Sequence, residues 1–329
     1  MKLYSDVNAL VVGYGSAGRR HCRLLRELGC RVSAVTRQHV PDADIRPFRT
    51  IAEACLTDTF DYAVIANRTD EHHATLLALR EAGYTGDILV EKPLFADADA
   101  SLPSSEYADR VYTAYNLRYH PVLQRLKEIV RGEQTFSVMV YTGQYLPSWR
   151  NRDYRQCYSA RRHEGGGVLR DLSHELDYVQ WLFGPWRRAA AIGGRFSPLE
   201  IDSDDTFALL LATERCPVVT IQINYVDRIG QRKLIVNGTN HTYSAELFGR
   251  TLQTDGRTEA FECDADYTYH KQHLDMLSGT KDTVCTLGQA LDTMRLIGEA
   301  ERAALLERWM HHEKAVHDLR ARGLDGGGQ

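Results

Sequence analysis

The sequence predicts an α/β protein in two parts. The first is a parallel sheet with helices on both faces; the second is an α/β domain whose sheet is mostly antiparallel. Three observations predict this. Strand and helix signals alternate up to about residue 120, a glycine-rich turn joins the first strand to the first helix, and from residue 187 strand-like segments follow one another with turn residues between them. A chain of 329 residues is long for one α/β core and fits two domains, placed at 1–120 and 121–329.

The apolar run Val7–Val12 reads as a buried strand and Ala17–Leu28 as the helix after it. Arg31–Val35, Asp61–Ala66, Asp87–Val90 and Val111–Ala114 are further strands, with a helix over Asp70–Ala82 capped by Thr69 or Asp70. Beyond residue 120 come a helix over Pro121–Arg131, a strand over Phe136–Gly143 and an arginine-rich, aromatic stretch from Tyr145 to Arg162. Gly165-Gly166-Gly167 precedes a long amphipathic helix over Val168–Phe183. Strands follow at Arg188–Phe196, Asp205–Thr213, Val218–Val226, Arg232–Gly238, Thr242–Phe248 and Thr258–Phe261, and Tyr267–Leu319 reads as helical. The tail 322–329 is expected to be disordered.

A net charge of −4 with no isolated basic block excludes a nucleic-acid surface. No run of eighteen apolar residues and no signal-peptide pattern is present, so the expectation is a cytoplasmic protein with no membrane partner. The seven cysteines form no C-x-x-C pair and are an odd number, so a zinc site or disulfide framework is not expected.

Gly13-Tyr14-Gly15-Ser16-Ala17-Gly18 is G-x-G-x-x-G between a strand and a helix. Gly13 permits the tight turn, Gly15 lets a pyrophosphate approach, and Gly18 lets helix and strand pack closely. The helix N-terminus, with Ser16 and Ala17, offers N–H groups to phosphate. This is the dinucleotide loop of a Rossmann domain. At the end of the second strand Ala34-Val35-Thr36-Arg37-Gln38 holds no acid for a ribose 2′-hydroxyl. Thr36 and Arg37, helped by Arg19 or Arg20, suit a 2′-phosphate, which favours NADP over NAD; Arg37 also fits a solvated loop. Asn67 and Thr69 follow the third strand, where a loop passes under the cofactor, although Thr69 also fits a helix cap. His72-His73 reads as a partly exposed helix start rather than a metal site.

Glu91-Lys92-Pro93 stands at the C-terminal end of a strand, where open α/β sheets place ligands. A lysine there can steady charge on a substrate oxygen or exchange a proton, and Pro93 invites a cis bond. In the helix from Val168, Asp171 and His174 share one side, as do His174 and Asp177; this suits proton transfer, although the spacing alone favours a solvated surface face.

Together, Gly13-x-Gly15-x-x-Gly18-Arg19-Arg20-His21, Glu91-Lys92-Pro93, and Gly165-Gly166-Gly167 with Asp171, His174 and Asp177 resemble the Gfo/Idh/MocA oxidoreductase family. The resemblance also takes in Tyr115-Asn116-Leu117-Arg118-Tyr119-His120-Pro121 and the late helical region from Tyr269 to Ala300. It implies a Rossmann domain, a second α/β domain with an open sheet, and oxidation of a ring hydroxyl, or reduction of the ketone, on sugars, inositols or nucleotide sugars. By motif, Lys92 and His174 are the catalytic pair: His174 takes the hydroxyl proton, Lys92 steadies the alkoxide, and the nicotinamide takes the hydride. Asp171 is the supporting carboxylate. Many members space that Asp and His four apart; here the separation is three, so Asp177 and Glu175 stay open for that role. Tyr115, Asn116 and Arg118 are expected beside the nicotinamide, with Glu91 also at the cofactor.

Trp149, Arg150, Tyr154, Arg155 and Tyr158 are candidates for the sugar pocket, since aromatics stack on sugar faces and arginines hold acidic groups. Their stretch resembles a subgroup associated with cell-surface sugar biosynthesis. A homodimer or homotetramer is implied by analogy. Rival readings are an imine or enone reductase, for which Lys92 suffices, and a non-catalytic NADP sensor.

Overall fold

The computed structural model describes residues 4–100 and 109–313. The expectation of a disordered tail at 322–329, and of helix as far as Leu319, therefore reaches outside the described residues. The chain forms two compact units: one from residues up to His120 with His163–Gly165 and Cys263–Met294, the other from Pro121–Arg162, Gly166–Glu262 and the residues from Arg295 on. The sequence placed one crossing, after residue 120; the structure also returns Cys263–Met294 to the first unit.

In the first unit the strands are short and, β3 apart, largely buried: β1 (Asn8–Val12), β2 (Arg31–Val35), β3 (Ile45–Phe48), β4 (Tyr62–Ile65), β5 (Asp87–Val90) and β6 (Val111–Thr113). They pair in parallel in the order β6-β5-β4-β1-β2-β3. The order reverses at β1, which lies between β4 and β2, and that is the point where open parallel sheets bind ligands. Helix α1 (Ser16–Leu28) buries His21, Cys22 and Leu25, and stops at Gly29, left-handed at φ 104°.

Strand β3 and helix α2 (Ile51–Thr57) are absent from the sequence reading. Pro47 argues against a strand, but β3 is the sheet edge, where a missing N–H is tolerated. A capping signal was present for α2: Thr50 Oγ1 accepts the Glu53 N–H at 3.1 Å, and the Glu53 carboxylate accepts the Arg49 N–H at 2.8 Å. Helix α3 (His72–Glu81) follows a 3₁₀ turn over Thr69–Glu71, and neither Thr69 nor Asp70 caps it: its cap is Glu71, without a side-chain bond, and Asp70 pairs with Arg68.

The second unit begins with α4 (Pro121–Val130). Its sheet contains β7 (Thr135–Tyr145), β8 (Trp186–Gly194), β9 (Thr206–Thr213), β10 (Val218–Asn224), β11 (Val226–Gly238), β12 (Thr242–Glu246), β13 (Thr251–Thr254) and β14 (Arg257–Ala260). Pairing is antiparallel except between β7 and β10. The strands alternate: Phe207, Leu209, Leu211, Val219, Ile221 and Ile223 are buried, while Leu210, Met139 and Val218 stay exposed. One face is thus core and the other is open.

The long helix expected over Val168–Phe183 is two helices, α5 (Val168–Asp171) and α6 (His174–Phe183). Leu172 turns to φ −100°, ψ 29°, and the tightened bonds Ser173 N–H to Arg170 O and Glu175 N–H to Leu172 O mark the break. The helical tail likewise divides into α7 (Tyr267–Ser278) and α8 (Leu287–Leu306). Two-residue strands accompany them: β15 (Cys285–Thr286) on β6 and β16 (Met310–His311) on β8. Such short strands carry no readable period.

Candidate functional site

The first unit builds a phosphate cradle where β1 meets α1. Gly13 has φ 100°, and a Cβ there would stand 2.6 Å from Asn67 N, so the loops after β1 and β4 touch. A Cβ on Gly18 would overlap the Gly13 carbonyl oxygen. A Cβ on Gly15 meets nothing within 4 Å. Two glycines therefore serve packing while the third faces open space. Helix α1 has Gly15 as N-cap and no side-chain cap, so the N–H groups around Ser16 and Ala17 remain for an anion. These residues fit a dinucleotide pyrophosphate.

At the end of β2, Thr36 is buried with Oγ1 accepting the Gln38 N–H at 3.0 Å, and Arg37 is exposed. Arg49, after β3, donates to the Arg37 carbonyl at 3.1 Å, bringing a second guanidinium there that the sequence reading missed. Arg20, suggested as a helper, is instead paired with Asp266 at 3.3 Å and stacked on Tyr269. After β4, Asn67 donates to Thr75 at 2.7 Å, while its buried Oδ1 has no hydrogen-bond partner. Thr69 is buried against Gly165.

Lys92 is half-buried at the end of β5, and the Lys92–Pro93 bond is cis. Glu91 beside it is buried: one oxygen lies 2.9 Å from His21 Nε2 and the other accepts the Lys92 N–H at 3.2 Å. Burial works to raise the Glu91 carboxyl, but the His21 hydrogen bond, the Lys92 charge and the Lys92 N–H outweigh it, leaving it below its ordinary range. His72 is not partly exposed as expected: it is 1% exposed, and its Nδ1–H is shared between the carbonyls of Pro93 and Leu94, both at 3.2 Å. Among the described residues no cluster of His, Cys, Asp and Glu can hold a metal. Asn116 and Arg118 are buried braces: Asn116 donates to Thr268 and Arg118 to Gln289, both at 2.7 Å, and Tyr115 is 1% exposed.

In the second unit, His174 opens α6 half-buried, between the buried acids Asp171 and Glu175 in sequence. Tyr225 donates to Asp171 Oδ2 at 2.7 Å. Glu175 accepts from Thr142 at 2.9 Å and Arg232 at 2.7 Å, and Asp177 is also buried. Gly167 begins α5 at φ 119°, a Cβ there would collide with Asp204, and Asp204 accepts the Leu169 N–H at 3.0 Å. Burial pushes the Asp204 carboxyl up to about 6.

The substrate candidates divide. Trp149 stacks edge-on against Tyr225 at 5.2 Å, and Arg150 lies over the Tyr158 ring at 5.0 Å. Tyr158 also bonds Asp171, so these four side chains gather around one carboxylate. Arg155 turns outward to Asp153 and Glu200, and the Tyr154 hydroxyl accepts the Glu200 N–H at 3.3 Å. Tyr225 belongs to the cluster and was missed, because nothing local in β10 or β11 marks it.

Residues 7–114 match the model of an oxidoreductase family with an NAD-binding Rossmann fold, and residues 123–244 match the Gfo/Idh/MocA C-terminal domain. The chain belongs to the Gfo/Idh/MocA oxidoreductase family. Among curated proteins none matches it. Solved structures share the Gfo/Idh/MocA fold at low identity. GenD2 from gentamicin A biosynthesis, in complex with NAD, is 20% identical, with 95% of this chain and 98% of that one covered at a TM-score of 0.78. A levoglucosan dehydrogenase in complex with NADH is 15% identical over 93% and 98%, at 0.80. A putative NADPH-dependent oxidoreductase from Desulfitobacterium hafniense is 14% identical over 93% and 97%, at 0.74. The Gfo/Idh/MocA N-terminal domain of this chain is therefore an NAD(P)-binding one, and among the described residues no helix is long and apolar enough to cross a membrane.

Proposed function

We propose that the chain is an NADP-dependent oxidoreductase acting on a ring hydroxyl or ketone of a sugar, an inositol or a nucleotide sugar. The observation that supports this most is a recurring arrangement. In each unit a half-buried titratable side chain, Lys92 or His174, stands close in sequence to buried, hydrogen-bonded acids. Side chains so placed can exchange or steady a proton while their neighbours hold fixed charge.

The bound nicotinamide supplies the hydride acceptor or donor. The loop at Gly15 and the α1 N-terminus hold the pyrophosphate, with Asn67 and Thr69 alongside. Thr36 and Arg37, with Arg49, hold the 2′-phosphate, since the end of β2 carries no acid. Lys92 steadies negative charge on the reacting substrate oxygen, and His174 takes or returns its proton. Asp171, held by Tyr225, supports His174. Arg150, Tyr158 and Trp149 bind the sugar. A levoglucosan dehydrogenase of this fold lends the substrate class support.

The open face of the second sheet, with Met139 50% and Ile192 76% exposed, supports assembly with further copies of the chain as a dimer or tetramer. Seven free cysteines, five of them buried, fit a reducing cytoplasm.

The test is cofactor oxidation by the purified protein across a panel of keto sugars, with Lys92→Met and His174→Ala. Turnover with NADPH, reduced about a hundredfold or more in each variant, supports the reading. Reduction of cyclic imines or enones that survives His174→Ala replaces it with the imine or enone reductase. Tight NADPH binding with no turnover on any compound replaces it with a sensor.

A further inference from the structure

Behind Glu91 the first unit contains an unbroken line of buried polar side chains. Glu91 Oε1 lies 2.9 Å from His21 Nε2, His21 Nδ1 lies 2.9 Å from His273 Nε2, and His273 Nδ1 lies 3.1 Å from the Tyr62 hydroxyl. His21 and His273 are both fully buried, and Tyr62 is 3% exposed. Four elements supply the four groups: α1, α7, β4 and the end of β5. Nothing about core packing requires two imidazoles here.

Proton counting sets the direction of this line. A carboxylate only accepts, so His21 Nε2 carries a hydrogen. If His21 is neutral, its Nδ1 accepts, and His273 must donate from Nε2. His273 Nδ1 then accepts from the Tyr62 hydroxyl. Burial holds His273 well below the usual histidine range, so it carries one hydrogen. The opposite direction closes only with a second proton on His21.

We propose that Tyr62, His273 and His21 form a one-way chain of hydrogen-bond donors that orients the Glu91 carboxylate and holds it ionised beside Lys92. His21 and His273 are thus positioning residues. Their bearing on catalysis rests on the function proposed above; the chain of donors does not. Besides His21, the groups facing Glu91 are Lys92, His72 on α3, Tyr62 on β4, and Tyr269 on α7 with Arg20 stacked upon it.

The experiment reads the apoprotein by NMR, so it is independent of turnover. With 15N-labelled histidine, assigned through His21 and His273 variants, both rings should show hydrogen on Nε2. Hydrogen on Nδ1 of either ring overturns the proposal. With 13C-labelled glutamate, assigned through Glu91→Gln, the Glu91 carboxyl in His21→Leu should titrate about one to two units higher than in the parent. His21→Gln, which keeps an N–H donor, should return it toward the parent value. An unchanged titration in His21→Leu, or an equal rise in both variants, overturns the proposal. If His21→Leu does not fold, the ring hydrogens in the parent protein decide alone. In an active enzyme the acid limb of the kcat profile should move up with Glu91, whereas inactivity toward sugars with these NMR results intact would count against the proposed function only.

Discussion

The Tyr225 hydroxyl donates to Asp171 Oδ2 at 2.7 Å, and both residues are buried. Tyr225 stands between β10 and β11, and Asp171 ends α5, so one hydrogen bond ties the sheet to the helix pair that carries His174. Removing the donor leaves a buried carboxylate with less support, which is the costly side of hydrogen bonding. Tyr225→Phe is expected to lower stability by about 1–3 kcal/mol, measured as a shift of the denaturant midpoint. It should also reduce kcat more than it raises KM, and an unchanged kcat would show that Asp171 does not act through this bond.

Variants at Gly15 and Gly18 should separate cofactor binding from folding. Gly15→Ala places a methyl in open space at ordinary backbone angles, φ −73° and ψ −162°. The thermal midpoint of the apoprotein should hold, while the rise produced by NADPH should shrink. Gly18→Ala overlaps the Gly13 carbonyl and should lower the midpoint of the apoprotein itself. Equal behaviour of the two variants would contradict the division of labour among these glycines.

On the proposed function, Arg37 and Arg49 carry the choice of cofactor. Replacing both with Ser should weaken NADPH binding about tenfold or more and leave NADH nearly unchanged, because in the proposed arrangement only the 2′-phosphate would meet them. Titration by cofactor fluorescence reads both affinities. Equal losses for the two cofactors would place the guanidiniums elsewhere on the dinucleotide.

Asp204 predicts a pH effect. Its carboxyl is raised from 3.8 to about 6 by burial, with the Leu169 N–H and Arg170 pulling the other way. The folded state then holds a proton that the unfolded state releases between about pH 4 and 6, so this residue's contribution falls as pH rises through that window and is lost above about 6. The size is about 3 kcal/mol. Against Asp204→Asn, the stability of the parent should decline across that window, as measured by urea unfolding at each pH. Parallel curves would show that Asp204 is ionised in the folded protein throughout.

The Arg232–Glu175 pair predicts a stability loss of a different kind. Glu175 is fully buried and Arg232 Nε stands 2.7 Å from it. Arg232→Ala leaves that carboxylate short of its counter-charge, at a cost of about 3–5 kcal/mol. The double variant Arg232→Met with Glu175→Leu should recover much of the loss in a denaturant titration, since replacing both charges removes the need for compensation.

Local signals were legible where one interaction type dominates. The runs at β1, β2, β4 and β5 are short and mostly apolar, with every residue after the first buried, because a sheet covered on both faces demands it. The glycine loop declares itself because a Cβ at Gly13 or Gly18 has no room. Strand β3 hid behind Pro47, and the break at Leu172 hid inside an amphipathic pattern that runs on through Ser173. Arg49, Tyr225 and His273 were invisible as site residues, since each matters through a partner more than ten residues away.

The sequence by itself determined the two-part α/β architecture, the dinucleotide loop, the Glu91-Lys92-Pro93 strand end and the order of the motifs. These follow from backbone sterics and hydrophobic periodicity, which act over a few residues at a time. Only the tertiary structure decided that Asp171 and His174 lie on separate helices, that Arg150 and Tyr158 gather at Asp171 while Arg155 turns away, and that His21 and His273 stand in line behind Glu91. A hydrogen bond between buried groups depends on a few tenths of an ångström and on which side chains the folded core leaves without water, and neither is set until distant segments have packed together.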